Sequence, residues 1–306
     1  MQAPAKLELH YFLRDKSHSM DAFVKNKCDT ELLAIANELI SELNLDISIE
    51  TEALKIGSVK DFWQATKGKK EDIALFFSVM TFLITIPSAI NSFPDKELIE
   101  LQKKESKLSI ETMKRNAKEA KKNTEDLELL INNNYKIDAR KSNFYKQLAK
   151  YPKVTQIGVS QLSKENRIIG EEKVIKRLQF KGFILQTNKL ETIVDENARI
   201  EITGPILDAG KSKWKGLYEG ETITFNMKDQ SFKQSVLSRK TSFSNGSYVI
   251  CILEIEQEID DIGEIKKPIY NVKTVLDEGD QYEKNETKSG KKYRYETKQS
   301  KKLKRK

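Results

Sequence analysis

Five consecutive residues, Ser17-His18-Ser19-Met20-Asp21, bring together a nucleophile, a base and an acid, the residue types of triad chemistry. A triad aims three side chains at one point from separate elements, which so short a segment cannot do. Capping of a following helix by Ser17 or Ser19 is the reading that the spacing favours. Gly210-Lys211-Ser212 has the ending of a phosphate-binding loop, but that motif needs its first glycine at 205, where Pro205 stands with Gly204 one residue out of register. Glu254, Glu256, Glu258, Asp260 and Asp261 offer carboxylates for a metal-dependent nuclease, yet they follow one strand and its turn, whereas such a site gathers acids from several elements. Near the end of the chain, Lys292, Tyr293, Arg294, Tyr295 and Lys298 interleave cations with rings, a pattern that suits phosphates and stacked single-stranded bases. A solubilising tail is the other reading of that segment. Cys28 and Cys251, with His10 and His18, are too few for a disulfide scaffold or a metal-ligand cluster. No catalytic set emerges, and the expectation is a protein that is not an enzyme and holds no cofactor or metal.

The element that dominates the rest is the run from Ile73 to Ile90, eighteen residues without a charge in a chain of which 33% is charged. As a helix it would be about 27 Å long, just enough for a hydrocarbon core of about 30 Å. Ile73, Phe76, Phe77, Val79, Met80, Phe82, Leu83, Ile84, Ile86 and Ile90 would face lipid, while Ser78, Thr81, Thr85 and Ser88 recur at spacings of three and four as a polar stripe able to face a pore. Lys67, Lys69 and Lys70 would anchor one end, and Phe62 with Trp63 would form an interfacial belt. A wholly buried core helix is the alternative, but the polar flanks offer few apolar partners, so the run is read as a membrane span.

Around it the predicted class is α+β. Residues 1–66 form a β-α-β head, with Lys6–Leu13 alternating as a strand and a helix running to Leu43. Residues 67–94 hold the span. A charged connecting helix occupies 95–138, where Asp95 to Ile131 contains no Gly or Pro. Residues 139–276 are β-rich, and short strands separated by Gly204-Pro205, Gly220 and Asn245-Gly246 predict a small antiparallel barrel or sandwich. In the tail, 277–306, eleven lysines and arginines between 284 and 306 stand against Glu286 and Glu296, which predicts disorder. The net charge of +8 calls for an anionic neighbour, lipid headgroups or nucleic acid.

A head ending in SHSMDAFVKN, one internal span, a Lys/Glu helix and a β domain carrying KWKGLYEGETITFNMKDQSF together resemble small bacterial membrane proteins of antiphage systems, in particular effectors paired with retrons or nucleotide-signalling operons. The resemblance implies an inner-membrane protein that damages the bilayer on infection and kills the cell. It implies lipid, further copies of the chain, and a regulatory protein or nucleic acid encoded nearby as partners. A nucleic-acid-binding or sensor adaptor, tethered at the membrane and using the β domain and basic tail, is the competing expectation.

Overall fold

The computed structural model describes residues 4–51, 59–87, 96–206, 213–280 and 283–303. They divide into two units, Met1–Thr187 with Asp261–Glu264, and Asn188–Asp260 with Ile265–Lys306.

The first unit is built on a five-stranded antiparallel sheet of β1 (Lys6–Leu13), β2 (Ser48–Thr51), β3 (Val59–Lys67), β4 (Val154–Leu162) and β5 (Ile168–Lys176), in the order β2-β3-β1-β4-β5. The first strand in the chain is therefore central, and β4, which pairs with it from Leu13↔Val154 to Lys6↔Leu162, arrives from far downstream. Alternation along β1 places Leu7, Leu9 and Tyr11 on the apolar face and Lys6, Glu8, His10 and Phe12 on the other. Helix α1 (Ala22–Glu42) begins where Asp21, rather than either serine, accepts from the amides of Phe23 and Val24, both at 2.9 Å. His18 is exposed, and Ser17 is engaged with Asp15 and Ser19.

Helix α2 (Lys70–Thr85) holds most of the apolar run, and here the membrane reading is corrected. Its 16 residues make about 24 Å, and no helix among the described residues is long and apolar enough to cross a membrane. Phe76, Phe77, Val79, Met80, Phe82, Leu83, Ile84 and Ile86 are buried in the core of the first unit, and Ile73 packs at its margin. One side of α2 lies on β1, β4 and β5, and another meets α3 (Lys96–Glu119) and α1, so a helix apolar on every face is what this position demands. The apolar partners that the flanks lack come from elsewhere in the chain: Val154, Ile157 and Val159 of β4, and Phe144, Tyr145 and Leu148 of α5 (Tyr135–Lys150), belong to the same cluster. The Tyr145 hydroxyl donates to the Ile84 carbonyl (2.5 Å), satisfying one of the acceptors that a helix leaves open at its C-terminus. Beside it the Lys141 ammonium lies 3.5 Å from the Ile86 carbonyl and 3.5 Å from Asp138, and burial pulls its pKa below the ordinary lysine value.

The polar stripe is internal as well. Ser78, Thr81 and Thr85 each donate to the carbonyl four residues back, at 2.7 Å, and Asn116 and Gln161 bond the Ser78 and Thr81 hydroxyls. Ser88 and Ile90 lie outside the described residues. Phe62 and Trp63 are buried in β3 rather than placed at an interface. The charged connecting segment is two helices, α3 and α4 (Thr124–Asn133), broken where Lys121 takes a φ of 56° and Asn123 caps α4 through the Glu125 amide. The inner-membrane location loses its basis with the span.

The second unit contains β6 (Ile193–Gly204), β7 (Trp214–Tyr218), β8 (Glu221–Met227), α6 (Gln230–Leu237), β9 (Tyr248–Glu256), β10 (Ile269–Gly279), β11 (Lys284–Glu286) and α7 (Lys288–Leu303). The strands run β11-β10-β8-β7-β6-β9, and a further β9–β10 pairing closes β6-β7-β8-β10-β9 into a five-stranded barrel. All neighbours are antiparallel except β8 and β10. This order, with the third and fifth strands parallel and a helix between the third and fourth, is that of an oligonucleotide/oligosaccharide-binding (OB) Greek-key barrel. Trp214, Phe225 and Phe232 meet in its interior with centroids 6.1 and 6.2 Å from the Trp214 ring. Glu219 and Gly220, both at positive φ, make the two-residue turn from β7 to β8, the geometry matched to the twist of a tight hairpin. The predicted disorder of the tail is also corrected: β10 continues to Gly279, β11 adds an edge, and Lys288–Leu303 is helical.

Candidate nucleic-acid interface

Helix α7 is poor in aliphatic residues, so its hold on the barrel is polar. Thr287 bonds the Val275 and Leu276 carbonyls through its hydroxyl, and the Gly290 amide donates back to that hydroxyl at 2.9 Å. A side chain at Gly290 would place its Cβ 2.1 Å from the Leu276 carbonyl oxygen, so glycine is what lets the helix lie against β10. One turn on, Arg294 pairs with Asp277 (2.7 Å) and with Glu286. Burial alone would raise the Asp277 carboxyl, but Arg294 and Lys284 outweigh it and hold its pKa below the usual aspartate value. Beneath both helices Asp229, 6% exposed, accepts from the Phe232 amide (3.0 Å), the Val275 amide (2.9 Å) and the Ser289 hydroxyl (3.0 Å). One carboxylate thus caps α6, pins β10 and anchors the start of α7.

With that side of the helix fixed, the opposite side is set. Lys288, Lys291, Lys292, Tyr295 and Lys298 are exposed at spacings of three and four, which is one stripe of an α-helix. Lys292 lies 3.9 Å from Glu296, while Lys288, Lys291 and Lys298 form no ion pair among the described residues. The Tyr295 ring is 65% exposed, and its hydroxyl accepts from Gln299 at 3.2 Å. Of the five residues that the sequence singled out, Lys292, Tyr295 and Lys298 lie on this stripe. Tyr293 is half-buried, and Arg294 is spent on its carboxylates. Lys288 and Lys291 were missed, although helical periodicity would have found them had the tail been read as a helix. Lys288 also lines a groove of about 380 Å³ between α6 and α7 with Ser235, Ser238, Lys240 and Thr241.

Elsewhere the candidate chemistry disperses. On the outer face of the barrel, Lys273 neutralises Glu254 (2.5 Å), Asn226 donates to Asn271 (2.8 Å) and Asn271 donates to Glu256 (2.8 Å). Glu258 faces Lys266 at 4.0 Å, and Asp261 belongs to the first unit, where its carbonyl accepts from Asn143. The five acids are therefore not gathered for metal chemistry. Gly210-Lys211-Ser212 lies outside the described residues. The one group of His, Cys, Asp and Glu among the described residues with ligand atoms close enough to share a cation is Glu8, His10 and Glu172, all within 4.8 Å of one another, on the first unit's sheet.

Compared with known proteins, the chain matches no family model, no curated protein and no solved structure.

Proposed function

We propose that the second unit is a binding module for single-stranded nucleic acid, with the exposed face of α7 as its contact surface. The observation that carries this reading is the stripe of Lys288, Lys291, Lys292, Tyr295 and Lys298 on a helix whose other side is locked to an OB-type barrel. Lysines spaced along one face neutralise successive phosphates, and an exposed ring among them gives an unpaired base something to stack on. Barrels of this topology commonly bind oligonucleotides on the face of their second and third strands. In this unit Lys273 neutralises Glu254 on the outer surface, while the added helix presents Lys288, Lys291 and Lys298 without an ion pair among the described residues. The fold alone does not carry a function; the stripe is what supports this reading. No bond is made or broken in this role, so the protein acts by holding a strand.

Fluorescence anisotropy of the full chain with a labelled oligothymidylate tests the reading. Binding that saturates is expected, and Tyr295→Ala should weaken it by about 1–3 kcal/mol, the worth of one base stacked on a ring. The same substitution should leave the weaker binding to a duplex unchanged, because paired bases are not free to stack on Tyr295. Absence of saturable binding by the unaltered protein would overturn the assignment.

A further inference from the structure

The face of the first unit's sheet that turns away from its apolar core carries a second candidate site. Residues two apart on a strand share a face, so Glu8 and His10 of β1 point the same way. Directly across on β4 stand Ser160, opposite Glu8, and Gly158, opposite His10. Glu172 reaches in from β5 to complete a set of one imidazole and two carboxylates whose ligand atoms lie within 4.8 Å of one another. His10 Nδ1 is 3.8 Å from Glu172 Oε1, and its ring lies against Phe12, tilted by 33° with centroids 3.7 Å apart.

Two observations separate this set from an ordinary surface ion pair. A Cβ at Gly158 would lie 2.0 Å from Glu172 Oε1, so the carboxylate occupies a notch that exists because a mid-strand residue has no side chain. The Ser160 hydroxyl, on a residue 1% exposed and directly opposite Glu8, has no hydrogen-bond partner among the described residues. A buried hydroxyl without a partner is costly, and a cation or its bound water would satisfy it.

We infer that Glu8, His10 and Glu172 bind a divalent transition-metal ion of the zinc type, with Ser160 beside the open coordination position. Mixed imidazole and carboxylate donors suit zinc better than magnesium, which takes oxygen ligands and keeps its waters. Lys60 donates to Glu8 Oε1 at 2.9 Å and leaves the second oxygen for the metal, an outer contact of the kind that orients ligating carboxylates. Two of the ligands come from β1 and the third from β5, so the ion would tie β1 to β5 across β4.

Calorimetric titration of the full chain with Zn²⁺, and separately with Mg²⁺, tests the site. One zinc per chain and no saturable magnesium binding are expected. Glu172→Gln, at an exposed position that leaves the core intact, should weaken zinc binding at least about tenfold, and His10→Gln should do so as well. Gly158→Ala, which fills the notch, should also weaken it. His18→Gln, at the chain's other and exposed histidine, should leave it unchanged. Absence of saturable zinc binding, or equal affinity in Glu172→Gln and the unaltered chain, would overturn the inference.

Discussion

Truncating Phe77 to alanine is expected to destabilise the first unit by about 3–5 kcal/mol, the range for removing a fully buried phenylalanine from a packed core. Its side chain is 0% exposed and meets Phe76 edge-on with centroids 5.2 Å apart, so the lost ring leaves a cavity that neighbours held by the sheet and α3 can fill only in part. Domain stabilities are about 5–15 kcal/mol, so the loss is a large part of the whole. The chain's two tryptophans fall one in each unit, Trp63 in β3 and Trp214 in β7, and both are buried. Urea unfolding followed in a Trp214→Phe background therefore reports the first unit, and its midpoint should move sharply down. In a bilayer span the same change would alter insertion by only a few tenths of a kcal/mol, because Phe itself contributes little on the insertion scale. A stability loss below about 1 kcal/mol would contradict the placement of α2 in the core.

Replacing Asp229 with alanine should cost the second unit about 2–4 kcal/mol. Losing the cap on α6 accounts for about 1 kcal/mol. The Val275 amide, left without an acceptor under α6 and α7, adds about 1–3 kcal/mol. Ser289 loses its anchor at the same time, so α7 should become open to protease before the barrel melts. Asp229→Asn keeps one carbonyl oxygen and should recover part of the loss. Unfolding read from Trp214 in a Trp63→Phe background, with limited proteolysis alongside, checks both effects. A cleavage rate in α7 equal to that of the unaltered chain would contradict the hub role of Asp229.

Local patterns were legible in the sequence wherever the cause was local. The alternation of Leu7, Leu9 and Tyr11, the helical spacing of Leu32, Ile35, Ala36 and Leu39, and the turn at Gly220 all depend on neighbours a few residues away. The run at Ile73 was misread because a helix surrounded by protein and a helix surrounded by lipid present the same composition. What distinguishes them here is β4 and α5, well over fifty residues downstream, together with the early stop at Thr85. The tail was misread for the same reason: composition predicts disorder when a segment cannot bury its own apolar surface, but α7 is held by polar groups outside itself, Asp229, Leu276 and Asp277. Two of the three proposed metal ligands, Glu8 and His10, were visible on one strand face, while Glu172 becomes their neighbour only through the β1-β4-β5 pairing.

The most direct test of the central claim, that the exposed face of α7 binds nucleic acid, is the salt dependence of oligothymidylate binding by the unaltered chain and by a variant with Lys288, Lys291, Lys292 and Lys298 changed to Gln. Each phosphate neutralised on a single strand contributes about −0.7 to the slope of log K against log salt concentration, so the variant's slope should be shallower by about 3 units, with affinity at low salt falling accordingly. The four residues are exposed, and both proteins should unfold at the same urea concentration. Equal slopes for the two proteins would contradict the claim and move any nucleic-acid contact away from α7.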